Sequence, residues 1–178
     1  MSRIVVQTFA GLDGVVDPDA VPLYLPYQDD DVAQDSLAVL EAAGALLAGR
    51  KTFLGLAEAW KPQTGMFADR LNPLRKYVVS TTLEDAEDVW ENSTVVAFED
   101  VPRLKEETEG DLVVYGCGRL ARTLLEAGLL DELRIFVAPV VAGKGTRLFD
   151  DPQEPIELRL VEAKPYASGA VQLVYAPA

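Results

Sequence analysis

A chain of 178 residues, 49% hydrophobic and 25% charged, is long enough to bury one core and has the balance of a globular protein, not a disordered or fibrous one. Its 16 Lys and Arg against 29 Asp and Glu leave a net charge of -13, a field that repels nucleic acid and anionic membrane surfaces while still allowing a local cation cluster to hold a small anion. Because the chain has no histidine, it lacks the commonest metal ligand and the usual base of nucleophilic triads; zinc hydrolases, zinc deaminases and Ser-His-Asp enzymes are disfavoured, and no metal site is expected.

The single cysteine, Cys117, excludes an internal disulfide. The first residues run straight into strand-like sequence without a signal-peptide layout, and no apolar run is long enough to span a bilayer, so a cytoplasmic protein of one domain over residues 1–178 is expected. Residues 3–10 are rich in β-branched side chains and read as a strand, closed by the turn signal Leu12-Asp13-Gly14. From 30 to 44, Ala33, Leu37, Leu40 and Gly44 fall at helical spacing behind an acidic start. Ala45 to Ala48 form a short apolar strand closed by Gly49, and residues 50–60 are helical again. Pro62 and Gly65 mark a loop.

Further strands are predicted over 75–80 and 94–98, a short polar helix over 100–107, and a strand over 111–115 stopped by Gly116-Cys117-Gly118. A helix over 119–127 follows, then a long apolar strand over 132–141 broken by Ala142-Gly143-Lys144-Gly145. Residues 156–166 and 170–175 pair as a hairpin across Ser168-Gly169. The sum is an α/β protein with about eight strands and about four helices: a mixed, mainly parallel sheet ending on an antiparallel hairpin.

Three strand-to-loop junctions place small or hydroxylated residues where an open α/β sheet binds ligands: Gly49-Arg50-Lys51-Thr52, Ser80-Thr81-Thr82 and Gly116-Cys117-Gly118-Arg119. The first and third open helices, whose free N–H groups and dipole favour a phosphate. The plainer alternative is that the glycines make tight turns, the cations sit in solvent, and Ser80 and Thr81 close a turn. Gly116 to Ala121 also has the form of a dinucleotide fingerprint, but the next strand ends at Ala142-Gly143-Lys144, where a Rossmann domain needs an acid, so that fold is the weaker reading.

Asp13 is placed to orient a substrate amide or water, or else serves the turn as Asp-Gly pairs do. The Tyr115 hydroxyl either sits by the substrate or caps the core. Lys144 and Arg147 either meet an anionic substrate group or are solvated loop cations. Cys117 has no identifiable base to activate it.

The Leu-Asp-Gly turn, Gly49-Arg50-Lys51-Thr52, Tyr77-Val78-Val79-Ser80, Gly116-Cys117-Gly118-Arg119 and Asp131-Glu132-Leu133 through Pro139-Val140-Val141, taken in this order along nearly the whole chain, resemble the dihydrofolate reductase superfamily. Within it, the chain is most similar to the riboflavin-biosynthesis reductase branch, the RibD C-terminal domain. The resemblance implies NADPH as cofactor, with Gly49, Arg50, Lys51 and Thr52 at its 2′-phosphate and pyrophosphate and Ser80 and Thr81 on the adenosine side. By the same resemblance Gly116, Cys117, Gly118, Arg119 and Leu120 meet the pyrophosphate, and Ala10 and Tyr115 lie near the nicotinamide.

Asp13 and Tyr115 are the candidates for a catalytic role. Where riboflavin-pathway reductases carry Glu-Gly-Gly, this chain has Tyr115-Gly116-Cys117. Dihydrofolate reductases proper carry a pterin-serving acid on the first helix, for which Asp31 and Asp35 are loose candidates against a solvated helix face. The implied reaction is hydride transfer to a C=N or C=O carbon of a small heterocyclic or sugar-derived substrate. The alternatives are 5-amino-6-(5-phosphoribosylamino)uracil reductase proper, or a non-catalytic NADPH-binding regulatory or scaffold protein. A homodimer is expected from the apolar run Leu133 to Val137 and from the resemblance.

Overall fold

The computed structural model describes residues 2–149 and 155–178. It is an α/β structure with an eight-stranded mixed sheet, mainly parallel, with an antiparallel C-terminal pair. Chain contacts divide it into two interleaved compact units, Met1–Ile4 with Leu37–Tyr115 and Val5–Ser36 with Gly116–Ala178.

The first unit holds the parallel run β4 (Ser93–Val96), β3 (Arg75–Val79), β2 (Ala43–Gly49) and β5 (Asp111–Tyr115), in that spatial order. Strand β2 is apolar along its length and buried on both faces, as a parallel strand covered by helices must be. The predicted helix reaching Gly44 stops earlier. A Cβ at Gly44 would lie 1.8 Å from the Glu109 carbonyl oxygen, so this glycine marks close chain packing at the start of β2.

Helix α3 (Arg50–Trp60) buries Phe53 and Ala57, and the Phe53 ring lies 6.0 Å from that of Trp90. Short α4 (Met66–Leu71) begins at Gly65, where only loop signals stand in the sequence. Helix α5 (Val101–Glu107) carries Pro102 in its first turn, where a missing N–H costs nothing. Lys76 on β3 is fully buried. Its ammonium donates to the carbonyls of Asn72 at 2.7 Å, Leu74 at 2.7 Å and Glu91 at 3.0 Å, and lies 4.3 Å from the centre of the Trp90 ring.

The second unit holds β1 (Ile4–Gly11) from Val5 onward, β6 (Glu132–Ala138), β8 (Val171–Pro177) and β7 (Leu158–Pro165) side by side. Strands β1 and β6 are parallel, while β6 with β8 and β8 with β7 are antiparallel. Phe9 stacks on Phe136 at 5.1 Å, and Phe136 meets Tyr166 at 6.1 Å. Val32, near the start of α2 (Asp30–Glu41), packs into this cluster.

The face that α2 buries differs from the predicted one. Val32, Ser36, Val39 and Leu40 are buried, whereas Ala33 is exposed. The phase is set by Ser36, whose hydroxyl accepts from the buried Gln7 side chain at 2.6 Å, so a polar residue occupies a core position. Residues 18–27, which show no helical periodicity, nonetheless coil as Pro18–Ala20, α1 (Val21–Tyr24) and Leu25–Tyr27, each with a proline in its first turn. Helix α6 (Arg119–Glu126) buries Ala121, Leu124 and Leu125.

Candidate functional site

In the first unit the predicted residues gather at the C-terminal ends of parallel strands. Gly49 pairs with Val79, which brings the start of α3 beside Ser80. Gly49 is the N-cap of α3 and offers no side chain, so no side-chain cap closes the first-turn N–H groups of Arg50, Lys51 and Thr52. Arg50 is exposed and donates from Nη1 to Thr82 Oγ1 at 3.0 Å, tying the helix start to the loop after β3. Ser80 Oγ accepts from the Thr82 and Leu83 amides at 3.1 and 3.0 Å. Its lone pairs are therefore committed to the turn, while its own proton can be donated to an anion. Lys51 and Thr81 are exposed, and Thr52 is half-buried.

Tyr115 ends β5, with its ring 6.0 Å from that of Phe67, which in turn lies 4.7 Å from Trp60. Its hydroxyl is buried without a hydrogen-bond partner among the described residues. Burial raises its pKa further above the ordinary tyrosine value, so at neutral pH the group is a phenol and a donor, not a base.

In the second unit, Ala10 is fully buried and paired with Val137. Gly116 has φ +82°, a backbone conformation that glycine adopts without strain, and its N–H donates to the Gln7 carbonyl at 2.8 Å. Gly118 is the N-cap of α6, again without a side-chain cap. Arg119 is the first residue of that helix, with Leu120 behind it. Cys117 is 4% exposed, and burial pushes its thiol up to about 12, so it is no nucleophile at neutral pH.

A cleft of about 240 Å³ opens here, lined by Cys117, Gly118, Arg119 and Arg122 from one side and by Thr146, Arg147 and Phe149 from the other. Three arginines and no acid are among these lining residues, in an otherwise acidic chain, with Arg122 paired to Glu126 at 3.4 Å.

Asp13 is bound up with the chain after β6. Its Oδ2 accepts from the Gly143 amide at 2.7 Å, a bond that holds its carboxyl below the usual carboxylate range. Its Oδ1 is buried without a hydrogen-bond partner among the described residues. Lys144 is exposed, and Arg147 Nε donates to the Asp13 carbonyl at 3.3 Å. Asp17, which no sequence signal singled out, accepts from both the Thr146 amide and the Thr146 hydroxyl at 3.2 Å.

Of the two candidate acids on α2, Asp31 is exposed. Asp35 binds Lys164 and the Tyr166 hydroxyl through one oxygen, each at 2.5 Å, which makes it a latch to the C-terminal hairpin. Among the described residues no group of three or more acidic, cysteine or histidine side chains is placed to hold a metal ion. Among them, too, no helix is long and apolar enough to cross a membrane.

Residues 2–172 match the RibD C-terminal domain family. The chain belongs to that family. A relative, the uncharacterized protein YyaP of Bacillus subtilis (strain 168), is 29% identical over 184 aligned positions, covering 97% of this chain and 94% of the other.

Among solved structures, a putative riboflavin biosynthesis protein from Shewanella sp. PV-4 shares the fold at a TM-score of 0.77 and 18% identity, with 99% of each chain covered. A pyrimidine reductase-like protein from Corynebacterium diphtheriae gives 0.69 at 12% identity, covering 99% of this chain and 92% of that one. The Thermotoga maritima diaminohydroxyphosphoribosylaminopyrimidine deaminase/5-amino-6-(5-phosphoribosylamino)uracil reductase gives 0.69 at 14% identity; 99% of this RibD C-terminal domain is covered but only 57% of the larger protein.

Proposed function

We propose that this chain is an NADPH-dependent reductase of a small heterocyclic or sugar-derived substrate. The observation that carries the proposal is the pair of glycine-opened helices, α3 and α6. Each begins at the end of a parallel strand, each leaves its first-turn N–H groups without a side-chain cap, and each carries arginine in its first turn. Each such helix start, taken by itself, suits a phosphate group.

Each unit by itself offers residues that suit a phosphate of such a cofactor. Arg50, Lys51 and the Ser80 proton would hold the 2′-phosphate, with Gly49, Thr52 and Thr81 beside them. Gly116 to Leu120 would hold the pyrophosphate through the first turn of α6, where Gly118 offers no side chain to crowd the anion. Ala10 and Tyr115 would lie by the nicotinamide. When bound, NADPH supplies the hydride, so the protein need only bind, orient and exclude water.

Tyr115 keeps its proton at neutral pH and serves as a hydrogen-bond donor toward a carbonyl or ring nitrogen. Asp13 is ionised at neutral pH because the Gly143 amide favours its charged form, so the proton that completes the reduction comes from water. The pyrimidine-type substrates for which two of its structural relatives are named make a pyrimidinone the first compound to try.

Titration of the protein with NADPH and NADH by intrinsic fluorescence, followed by NADPH oxidation against pyrimidinones, pterins and simple carbonyls, tests the proposal. Tight NADPH binding with turnover on one class supports it. Binding without turnover on any class favours a regulatory or scaffold role, and absence of NADPH binding sinks it.

A further inference from the structure

The arginine-lined cleft of the second unit has two unlike walls. One is the first turn of α6, whose geometry is fixed by the helix itself. The other is carried by residues 143–149, which contain no helix or strand and make a single isolated bridge, Val15 with Arg147. A wall of this kind holds its shape only if something outside it supplies the contacts.

The turn after β1 supplies them. Val16 N–H donates to the Thr146 carbonyl at 2.8 Å and Leu148 N–H to the Gly14 carbonyl at 2.8 Å. Asp13 takes the Gly143 amide at 2.7 Å. Asp17 Oδ2 takes both donors of Thr146, while its Oδ1 takes the Asp19 amide at 3.1 Å, so the carboxylate is fixed from both sides. Gly145, at φ +121°, approaches so closely that a Cβ there would lie 2.7 Å from the Asp17 Cβ. Both Thr146 donors are engaged by Asp17, and Arg147, whose Nε also donates to the Asp13 carbonyl at 3.3 Å, is the cationic residue by which this wall lines the cleft.

Electrostatically the arrangement is odd. A carboxylate beside the wall of an anion-binding cleft, in a chain of net charge -13, opposes anion binding through its field. Its contribution must then be geometric if it is to help at all.

We infer that Asp17 is a positioning residue for this cleft: it pins Thr146 and thereby holds Arg147 across from the start of α6, completing a site for the diphosphate of a dinucleotide. The identity of the dinucleotide rests on the proposed reductase function, whereas the diphosphate site itself does not. The geometric role and the field effect have opposite signs, which makes the inference testable. Removing the carboxylate loosens the wall and weakens anion binding if the role is geometric, and strengthens binding if only the charge matters.

The experiment measures binding of inorganic pyrophosphate, NADPH and 2′-AMP to the full chain and to the Asp17→Ala, Asp17→Asn and Arg147→Ala variants by calorimetry. Asp17→Ala is expected to weaken pyrophosphate and NADPH by about tenfold or more, about 1.4 kcal/mol, while 2′-AMP, which lacks the pyrophosphate, stays within about twofold. Asp17→Asn keeps an acceptor for Thr146 without the charge and is expected to stay within about threefold of the parent. Arg147→Ala should reproduce the loss, and the double variant Asp17→Ala/Arg147→Ala should be no worse than Arg147→Ala alone, because both act through one contact.

Unchanged or tighter pyrophosphate binding in Asp17→Ala overturns the inference, as does a parallel loss of 2′-AMP. If Asp17→Ala does not fold, undiminished pyrophosphate binding in Arg147→Ala overturns it equally. A parent protein that binds pyrophosphate but not NADPH keeps the cleft and refutes the reductase reading; one that binds no pyrophosphate refutes the cleft.

Discussion

Replacing Arg50 by alanine separates the 2′-phosphate from the rest of the cofactor. The side chain is exposed and makes one hydrogen bond within its unit, Nη1 to Thr82 Oγ1 at 3.0 Å, so its loss should change folding stability by no more than about 0.5 kcal/mol. Toward a phosphate the guanidinium offers charge-assisted hydrogen bonds that are commonly about 1.5 to 3 kcal/mol each. Exposure and salt screening reduce that, and about 1.4 kcal/mol, a factor of about ten in affinity, is the expected loss for NADPH. NADH carries no 2′-phosphate and should bind the variant as it binds the parent. Intrinsic fluorescence is a suitable assay, because half-buried Trp60 lies on the same helix as Arg50 while Trp90 is buried. The parent should favour NADPH over NADH by about tenfold or more, and added salt should erode that preference. If Arg50→Ala weakens both cofactors alike, or neither, the assignment of the 2′-phosphate to the start of α3 is wrong.

Three other outcomes follow from the geometry. Lys76→Met keeps the buried chain but leaves three carbonyls without their donor and removes the contact with Trp90; we expect a loss of about 2 to 4 kcal/mol in urea unfolding, and a change under about 1 kcal/mol would refute the clip. Burial raises the Asp35 pKa, but hydrogen bonds from Lys164 and Tyr166 outweigh it and leave the folded value below 3.8. The stability it contributes is therefore complete above about 3.8 and lost as pH falls through the folded value, so Asp35→Asn should flatten the acid limb of the stability profile and leave neutral-pH cofactor binding unchanged. A homodimer is expected by light scattering at micromolar concentration, with Leu160→Glu shifting it to monomer, because Leu160 and Val161 on β7 are 51% and 53% exposed. A monomeric parent protein would remove that expectation.

The basis for the dimer shows how far local sequence carries. The run Leu133 to Val137 was expected to offer apolar surface, but Leu133, Ile135 and Phe136 are buried within their unit, and the exposed apolar side chains lie on the neighbouring hairpin. Periodicity identifies a strand; it does not say which strand lies at the edge. Most of the strands were legible because each is a short β-branched or apolar run closed by glycine or polar turn residues, a signal confined to a few neighbours, whereas β7 is interrupted by charged residues. Helix α2 was legible in position but not in phase, since Ser36 is buried by a bond to Gln7, 29 residues away. The turns at 18–27 and α4 escaped because short helices fixed by proline or by packing carry too few residues for a period to emerge.

The same division runs through the site. Gly49 and Gly118 could be read directly, because a glycine at a strand end that opens a helix is a local feature with a local consequence: unshielded first-turn N–H groups. Asp17 could not, since its partner Thr146 lies 129 residues further along, and nothing near Asp17 distinguishes it from the other acids of an acidic chain. The acidic surplus also gives the arginines their significance. In a chain with 29 acids and 16 bases, the residues lining one cleft, three arginines and no acid, are a local reversal of the charge balance, and such a lining favours an anion even when the whole molecule repels it. Carboxylates placed against its wall work against that reversal unless they hold the wall in shape. The sign of the change on removing Asp17 therefore decides between field and geometry, independently of which substrate the protein reduces.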